Sequence, residues 1–520
     1  MQHQWWQSGT VYQIYPLSFM DGNGDGKGDL IGIKSRLDYL QDLGVDAIWM
    51  SPIYPSPFGD FGYDVADYTD VNPLFGDLEI FDSLVADIHG RGMKVILDLV
   101  PNHTSIEHEW FKESRSSREN AKRDWYLWKD PAPDGGPPNN WQANFGGDAW
   151  TLDETTGQYY CHLFDPCQPD LNWRNPQVRD AIYNAMRFWF DRGVDGFRVD
   201  VIFMMIKDAE FRDEPDNPRW REGKHSYWKH LHTHTTHQPE TFEIIKQMRA
   251  VAEEYDDRCI IGEVFADIDT LMRYYGDNLD ACHLPFNFGL TVGRWQFDKI
   301  VAFIQAYEAG LPQGAWPNWV LGNHDQPRIA TRAGIDQAAL AQMLLLTLRG
   351  TPTLYYGDEL GMENVELPLE FVNDPAATDG ELRNPGRDPE RTPMQWDAGK
   401  HAGFTTSSPW LPVGADADTR NVKVQSGDEK SMLSLVKQLL ALRKAEADLS
   451  VGDFKFISAD EEVLVYERGD KHRIALNFGA SEKTLPASGT ITLNTLLDRK
   501  GEKVDGALTL RGNEGVILAA

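Results

Sequence analysis

Eight short apolar runs punctuate the 520-residue chain, and each ends in polar residues able to do chemistry: VYQIYP (11–16), DAIWMSP (46–52), KVILDLVPNH (94–103), VDGFRVD (194–200), CIIGEVF (259–265), CHLPFN (282–287), NWVLGNHD (318–325) and TLYYGDE (353–359). Short, continuously apolar runs of this kind suit strands buried on both faces of a parallel sheet. Most intervals between them carry helical spacing. In VRDAIYNAMRFWFDRG (178–193), Ile182, Ala185, Met186 and Trp189 share one face, and Gly193 supplies the stop. Strands alternating with helices in this way predict an α/β fold, a (β/α)8 TIM barrel, with functional groups at the C-terminal ends of the strands.

Two intervals are too long for plain connections. Residues 104–173, rich in Trp, Pro, Gly and Asn and including PAPDGGPPNNW (131–141), predict a subdomain inserted after the third strand. A second excursion follows the eighth strand at about 360–430, before SMLSLVKQLLALRK (431–444), which has the spacing of a final amphipathic barrel helix. Beyond it the texture changes to DFKFIS, EVLVYER, HRIALNF and TITLNTLL, the pattern of a small antiparallel β-sandwich. The expected domains are thus a first barrel part (1–103), the inserted subdomain (104–173), a second barrel part (174–450) and a C-terminal sandwich (451–520).

Composition narrows the functions. With 41% hydrophobic and 25% charged residues the chain is globular, and its formal charge of −30 opposes binding to nucleic acid or to anionic membrane surfaces. The start, MQHQWWQSGTVYQ, has neither a basic region nor an apolar core of the secretory kind, which predicts a cytoplasmic protein. Four cysteines make no disulfide framework, although Cys161 and Cys167 are close enough in sequence to suggest a pair; Cys259 reads as a buried small apolar residue. No sequence pattern specifies an oligomeric state.

Four strand ends deliver acids, bases and cations to one face: Asp98, Asn102 and His103 after the third run, Arg198 and Asp200 after the fourth, Glu263 after the fifth, His324 and Asp325 after the seventh. Two carboxylates, one to attack an anomeric carbon and one to protonate the leaving oxygen, are what retaining glycoside hydrolysis requires. Phosphoryl transfer would need a P-loop, and the chain carries none. Taken in order, DLVPNH, GFRVD, GEVF and NHD resemble the α-amylase superfamily of glycoside hydrolases, across essentially the whole chain. QPDLNW (168–173), FGYDVADY (61–68) and RTPMQWD (391–397) are similar to the oligo-1,6-glucosidase and α-glucosidase subgroup.

The resemblance implies that Asp200 is the nucleophile, Glu263 the general acid/base and Asp325 the stabiliser of the oxocarbenium-like transition state. It further implies that His103 and His324 bind glucose hydroxyls, and that Tyr63 and Asp64, with Arg391, close the subsite around a terminal glucose. Physically, Arg198 lies two residues before Asp200 on an extended strand and should keep it ionised, whereas apolar neighbours such as Ile261 and Val264 should raise the pKa of Glu263. Val201, next to the nucleophile, is the residue expected to bear on linkage. The implied activity is an exo-acting, retaining α-glucosidase on short α-glucosides, without an organic cofactor. A strictly α-1,6-specific enzyme, a transglucosylase or sucrose isomerase on the same scaffold, and a non-catalytic binding module are the alternatives.

Two stretches raise the question of metal. In DGNGDGKGDLIG (21–32), Asp21, Asn23, Asp25, the carbonyl of Lys27 and Asp29 alternate as calcium ligands do, but Gly32 stands where an EF-hand has its bidentate Glu. The expectation is structural calcium, with magnesium as the alternative hard cation. HSYWKHLHTHTTHQPE (225–240) holds five histidines in no standard ligand spacing and is read instead as a substrate-side loop.

Overall fold

The computed structural model describes residues 3–377 and 384–519. All eight predicted strands form: β1 Val11–Ile14, β2 Ala47–Met50, β3 Lys94–Leu99, β4 Gly196–Val199, β5 Cys259–Val264, β6 Leu284–Asn287, β7 Asn318–Val320 and β8 Thr351–Tyr355. They pair in parallel in the order β7-β8-β1-β2-β3-β4-β5-β6. The end strands β6 and β7 lie side by side, so the sheet is nearly closed into a barrel.

Alternation along each strand divides the core. Val11, Ala47, Trp49, Ile96, Ile261, Leu284 and Phe286 form one cluster inside the barrel. Intervening residues such as Tyr12, Ile48, Val95, Leu97, Phe197 and Ile260 join the larger cluster beneath the helices. The helix Pro176–Asp191 shows how local signals place an outer element. The Asn175 side chain accepts from the Gln177 N–H, a proline sits in the first turn, and Ile182, Ala185, Met186 and Trp189 are all buried. Each large side chain so buried contributes about 1.5–3 kcal/mol. Gly193, at φ 93°, takes the left-handed conformation past the helix end that a glycine adopts most readily.

Register then sets the site. Asp98 of β3 is level with Arg198 of β4, and Val199 with Gly262 of β5, so Asp200 and Glu263 are the next residues at adjoining strand ends. Between β3 and β4 run a helix, Glu109–Ser116, and a three-stranded antiparallel sheet of Trp128–Lys129, Gln158–Cys161 and Trp150–Asp153. Bridges His103–Asp170 and Tyr126–Leu171, with the Lys207–Asp170 ion pair at 2.8 Å, hold its ends over the barrel mouth. After β8, the helix Met432–Ala445 begins where the Ser431 side chain accepts from the Ser434 N–H.

The C-terminal region is antiparallel, with one six-stranded and one two-stranded sheet. Val463 and Val465 face Leu508 and Leu510 of the smaller sheet, while Leu464 and Tyr466, one residue out of phase, join the main core. Strand alternation therefore makes both the sandwich and its seat against the barrel. The four cysteines are free thiols, so Cys161 and Cys167 are not bridged. Among the described residues no helix is long and apolar enough to cross a membrane.

Candidate active site

One guanidinium organises the floor. Arg198, fully buried, donates from Nη1 to Asp98 Oδ1 at 2.6 Å and to Asp200 Oδ1 at 2.8 Å, and its Nη2 lies 2.7 Å from Glu263 Oε2. The Val201 N–H donates to the same Oε2 at 2.9 Å. Both contacts on Glu263 fall on Oε2 and the Arg198 contact on Asp200 falls on Oδ1, so neither donor occupies Glu263 Oε1 or Asp200 Oδ2; the two carboxyls also reach each other. Val201 holds φ 33°, ψ 44°. A β-branched residue in that region is strained, and the strain accompanies the aiming of its N–H at Glu263.

Burial raises the pKa of Asp200 well above the usual carboxylate range and raises that of Glu263, in both cases against the opposing pull of Arg198. Asp98 is pushed up to about 6 by burial, again opposed by Arg198. The sequence expectation that Arg198 alone would keep Asp200 charged overlooked its other two partners. With three carboxylates around one cation, like-charge repulsion retains a proton among them.

Asp325 is treated oppositely. Its Oδ1 accepts from Arg391 Nη2 at 2.9 Å and Arg387 Nη1 at 3.2 Å, and its Oδ2 is 3.2 Å from His324 Nε2. Burial pushes its pKa up, but His324, Arg387 and Arg391 together outweigh that and hold it well below the usual range. His324, itself driven neutral by burial, takes a hydrogen bond on Nδ1 from Gln13 at 2.8 Å, which leaves its proton on Nε2 facing Asp325. Tyr63 stacks on His324 with ring centroids 5.2 Å apart and donates its hydroxyl to Asp98 at 3.0 Å. His103, lowered to about 3 by burial, meets the Tyr63 carbonyl through Nε2 at 3.1 Å.

These groups open on a cavity of about 490 Å³, lined among others by Asp60, Tyr63, His103, Asp200, Val201, Glu263, His324, Asp325 and Arg387. Its walls come from loops: Phe145 and Phe164 of the insertion, Phe203 after β4, Phe265 after β5, and Tyr227, Trp228, Leu231, His232 and His237 of the histidine-rich stretch. That stretch is thus a wall of the cavity, as read from the sequence. Among the described residues no group of three His, Cys, Asp or Glu is arranged to hold a metal.

The model of the alpha-amylase catalytic domain matches residues 13–452. The chain belongs to the alpha-amylase family. A probable alpha-glucosidase of Rhizobium meliloti (strain 1021) is 42% identical over 89% of this chain and 87% of its own, and an oligo-1,6-glucosidase of Halalkalibacterium halodurans is 39% identical over 98% and 97%. The crystal structure of the alpha-glucosyl transfer enzyme XgtA superposes with a TM-score of 0.94 over the full length of both chains, at 39% identity. The protein is a glycoside hydrolase of this family.

Within this family member, two residues read from the sequence sit elsewhere than expected. Asp64 does not pair with Arg391: it is fully buried and accepts from Ser56 Oγ at 2.7 Å, the Gly59 N–H at 2.8 Å and the Asp60 N–H at 3.0 Å, so it braces its own turn. Arg391, also fully buried, holds Asp325 and the His324 carbonyl from behind. Asp60 and Arg387, which both line the cavity, pair at 2.7 Å, and Asp374 clamps the same arginine through Nε at 2.9 Å and Nη2 at 2.7 Å. Each missed residue lies four positions before the one chosen. Positive φ at Phe58, Phe61 and Gly62 reverses the chain between Asp60 and Asp64, a signal that FGDFGYD carries only weakly.

The 21–29 loop folds on its own hydrogen bonds. Asp21 accepts from the Asn23, Gly24 and Gly26 N–H groups and from Thr405 Oγ1, and Asp29 accepts from Gly22, Asn23 and Gly32. Asn23 and Asp25 each accept from the N–H two residues on. The Asp21 carboxylate is saturated by these bonds, so it would have to exchange partners to bind an ion.

Proposed function

We propose that the protein is an exo-acting, retaining α-glucosidase that releases glucose from the non-reducing end of short α-glucosides. The observation that carries the reading is the pairing of a three-carboxylate floor with the Asp60–Arg387 tie, which joins the loop after β2 to the chain after β8. A tie there blocks a through-going groove, so a terminal glucose fits and the interior of a polymer does not.

In this reading Asp200 Oδ2 attacks the anomeric carbon while Glu263, protonated on Oε1, gives its proton to the leaving oxygen. Water then attacks the anomeric carbon of the glucosyl ester, Glu263 takes a proton from that water, and Asp200 leaves as carboxylate. A single guanidinium touching both carboxylates keeps them close, as in retaining enzymes, where they are about 5–5.5 Å apart. Asp325, held ionised, stabilises the cationic sugar ring between the two steps. Val201 lines the cavity beside the nucleophile, where one methyl group alters discrimination between linkages by about 1–3 kcal/mol.

A second reading, glucosyl transfer to a sugar instead of water, has the likeness to the alpha-glucosyl transfer enzyme in its favour. The test is a product time course on equimolar maltose, isomaltose, trehalose, kojibiose and sucrose. Glucose release abolished in Glu263→Gln supports hydrolysis and ranks the linkages. New oligosaccharides without matching free glucose would replace it with transfer.

We further propose a structural calcium ion on Asp21, Asn23, Asp25, the Lys27 carbonyl and Asp29, supported by their alternation and the loop's turns. Chelation should lower Tm by several degrees, with calcium restoring it better than magnesium; an unmoved Tm would remove the ion. A reducing compartment, the cytoplasm, suits the four free thiols.

A further inference from the structure

We infer that Gln13 is a positioning residue whose amide fixes the tautomer of His324, so that the ring presents Nε2–H to the cavity and to Asp325; this rests on the glucosidase reading above. Gln13 lies in β1, two residues on from Val11 of the inner cluster, and so points into the barrel. It is fully buried beneath the cavity and is not among the residues that line it. Its Nε2 donates to His324 Nδ1 at 2.8 Å and reaches Ser51 Oγ at 3.3 Å. Among the described residues its Oε1 has no hydrogen-bond partner. A buried amide with an unpaired oxygen costs stability that a methionine of similar length would not, so packing alone does not account for glutamine here.

The place of the His324 ring is settled by other residues. It stacks on Tyr63 at 5.2 Å and on Tyr15 at 5.8 Å between centroids, Trp49 meets it edge-on at 6.4 Å, and Arg391 Nε donates to its carbonyl at 2.7 Å. Arg198, Arg387 and Arg391 oppose a second proton on the ring, so the choice left is between two neutral tautomers. A proton on Nδ1 would meet the Gln13 amide head-on and would leave a bare Nε2 3.2 Å from Asp325 Oδ2, two acceptors in contact. Turning the amide over would mend only the first of these. Gln13 and Asp325 therefore agree on Nε2–H. Of the two, only Gln13 keeps that bond through turnover, because Asp325 lines the cavity and gives its charge to the sugar ring.

The test reads the ring itself, by long-range proton–nitrogen correlation spectra of the full chain with isotopically labelled histidine, the His324 signals being assigned by their loss in His324→Gln. The wild type should show Nε2 protonated and Nδ1 bare, and Gln13→Met a mixture of the two forms. Gln13→Glu, whose carboxylate can only accept, should put a proton on Nδ1. On maltose, Gln13→Met should lower kcat by about tenfold, the worth of one good hydrogen bond, and leave KM little changed, because the Nε2–H that is lost orients the charge used in the transition state. Gln13→Glu should lower kcat further. A purely structural role would lower Tm and leave the ring signals where they are. A wild-type ring protonated on Nδ1, ring signals unmoved in Gln13→Met, or a wild-type kcat in that variant overturns the inference while leaving the glucosidase intact. Failure of the wild type to turn over maltose would remove the glucosidase reading, and this one with it.

Discussion

Asp200 and Asp325 stand at the mouth of the same barrel, at the ends of β4 and β7, and their surroundings drive their charges in opposite directions. Burial opposes ionisation of both. The difference lies in how many cations each carboxylate commands. Arg198 divides itself among Asp98, Asp200 and Glu263, whereas Asp325 meets two guanidiniums, Arg391 and Arg387, the latter shared with Asp60 and Asp374, and the Nε2–H of a neutral His324. One side of the site therefore holds a proton that can be moved, and the other holds a fixed negative charge. Acid catalysis and attack belong to the first, stabilisation of a cationic ring to the second.

The hardest test of that division is Asp200→Asn, which keeps shape and removes the nucleophile. On maltose kcat should fall by roughly 10^4–10^6, as it does when a covalent catalyst is deleted elsewhere. If about a hundredth or more of the activity survived, the attacking group would be another carboxylate, and the contrast with Asp325 would be wrongly drawn. Next in size is Arg387→Ala, which strips one cation from Asp325 and cuts the tie to Asp60. The loss in kcat/KM on maltose should be on the order of 10^2–10^3, the scale of removing one preorganised stabilising donor. Activity on soluble starch should fall less, since the blocked end is opened. Equal losses on both substrates would mean that Arg387 serves the charge of Asp325 and not the shape of the subsite.

How much of this was legible follows from the range of each signal. Strands and their outer helices are written in local periodicity, and β1 to β8 all form where the apolar runs stand. Asp200, Glu263 and Asp325 could be named because each closes such a run. Asp60 and Arg387 could not, since they are 327 residues apart on two loops and meet only once the barrel closes. Each also has a decoy four residues on, Asp64 and Arg391, and nothing in the composition of FGDFGYD or GRDPER says which member faces the cavity. Arg198 was seen as a partner of Asp200, but its third carboxylate, Glu263, comes from the neighbouring strand and depends on register. The aromatic wall was legible only as loop, because its residues arrive from several separate connections.

The smallest effect probes the crowded side by thinning it. Asp98→Asn keeps an oxygen for Arg198 and removes one of the three negative charges. Asp98 raises the pKa of Asp200 by its charge, so without it Asp200 ionises at lower pH. Attack needs the ionised nucleophile, and the acid limb of the kcat/KM profile reports that ionisation in the free enzyme. The limb should therefore move to lower pH, by about one unit or less, the size of a nearby charge effect. Its basic limb, set by the proton on Glu263, should move less, because Arg198 and Asp325 act on that group directly. A melting curve close to wild type shows that the barrel interior has survived the change. If the acid limb instead stayed fixed or rose, the guanidinium released from Asp98 would not have reached Asp200, and the sharing of Arg198 would not be what sets the charge on this side of the site.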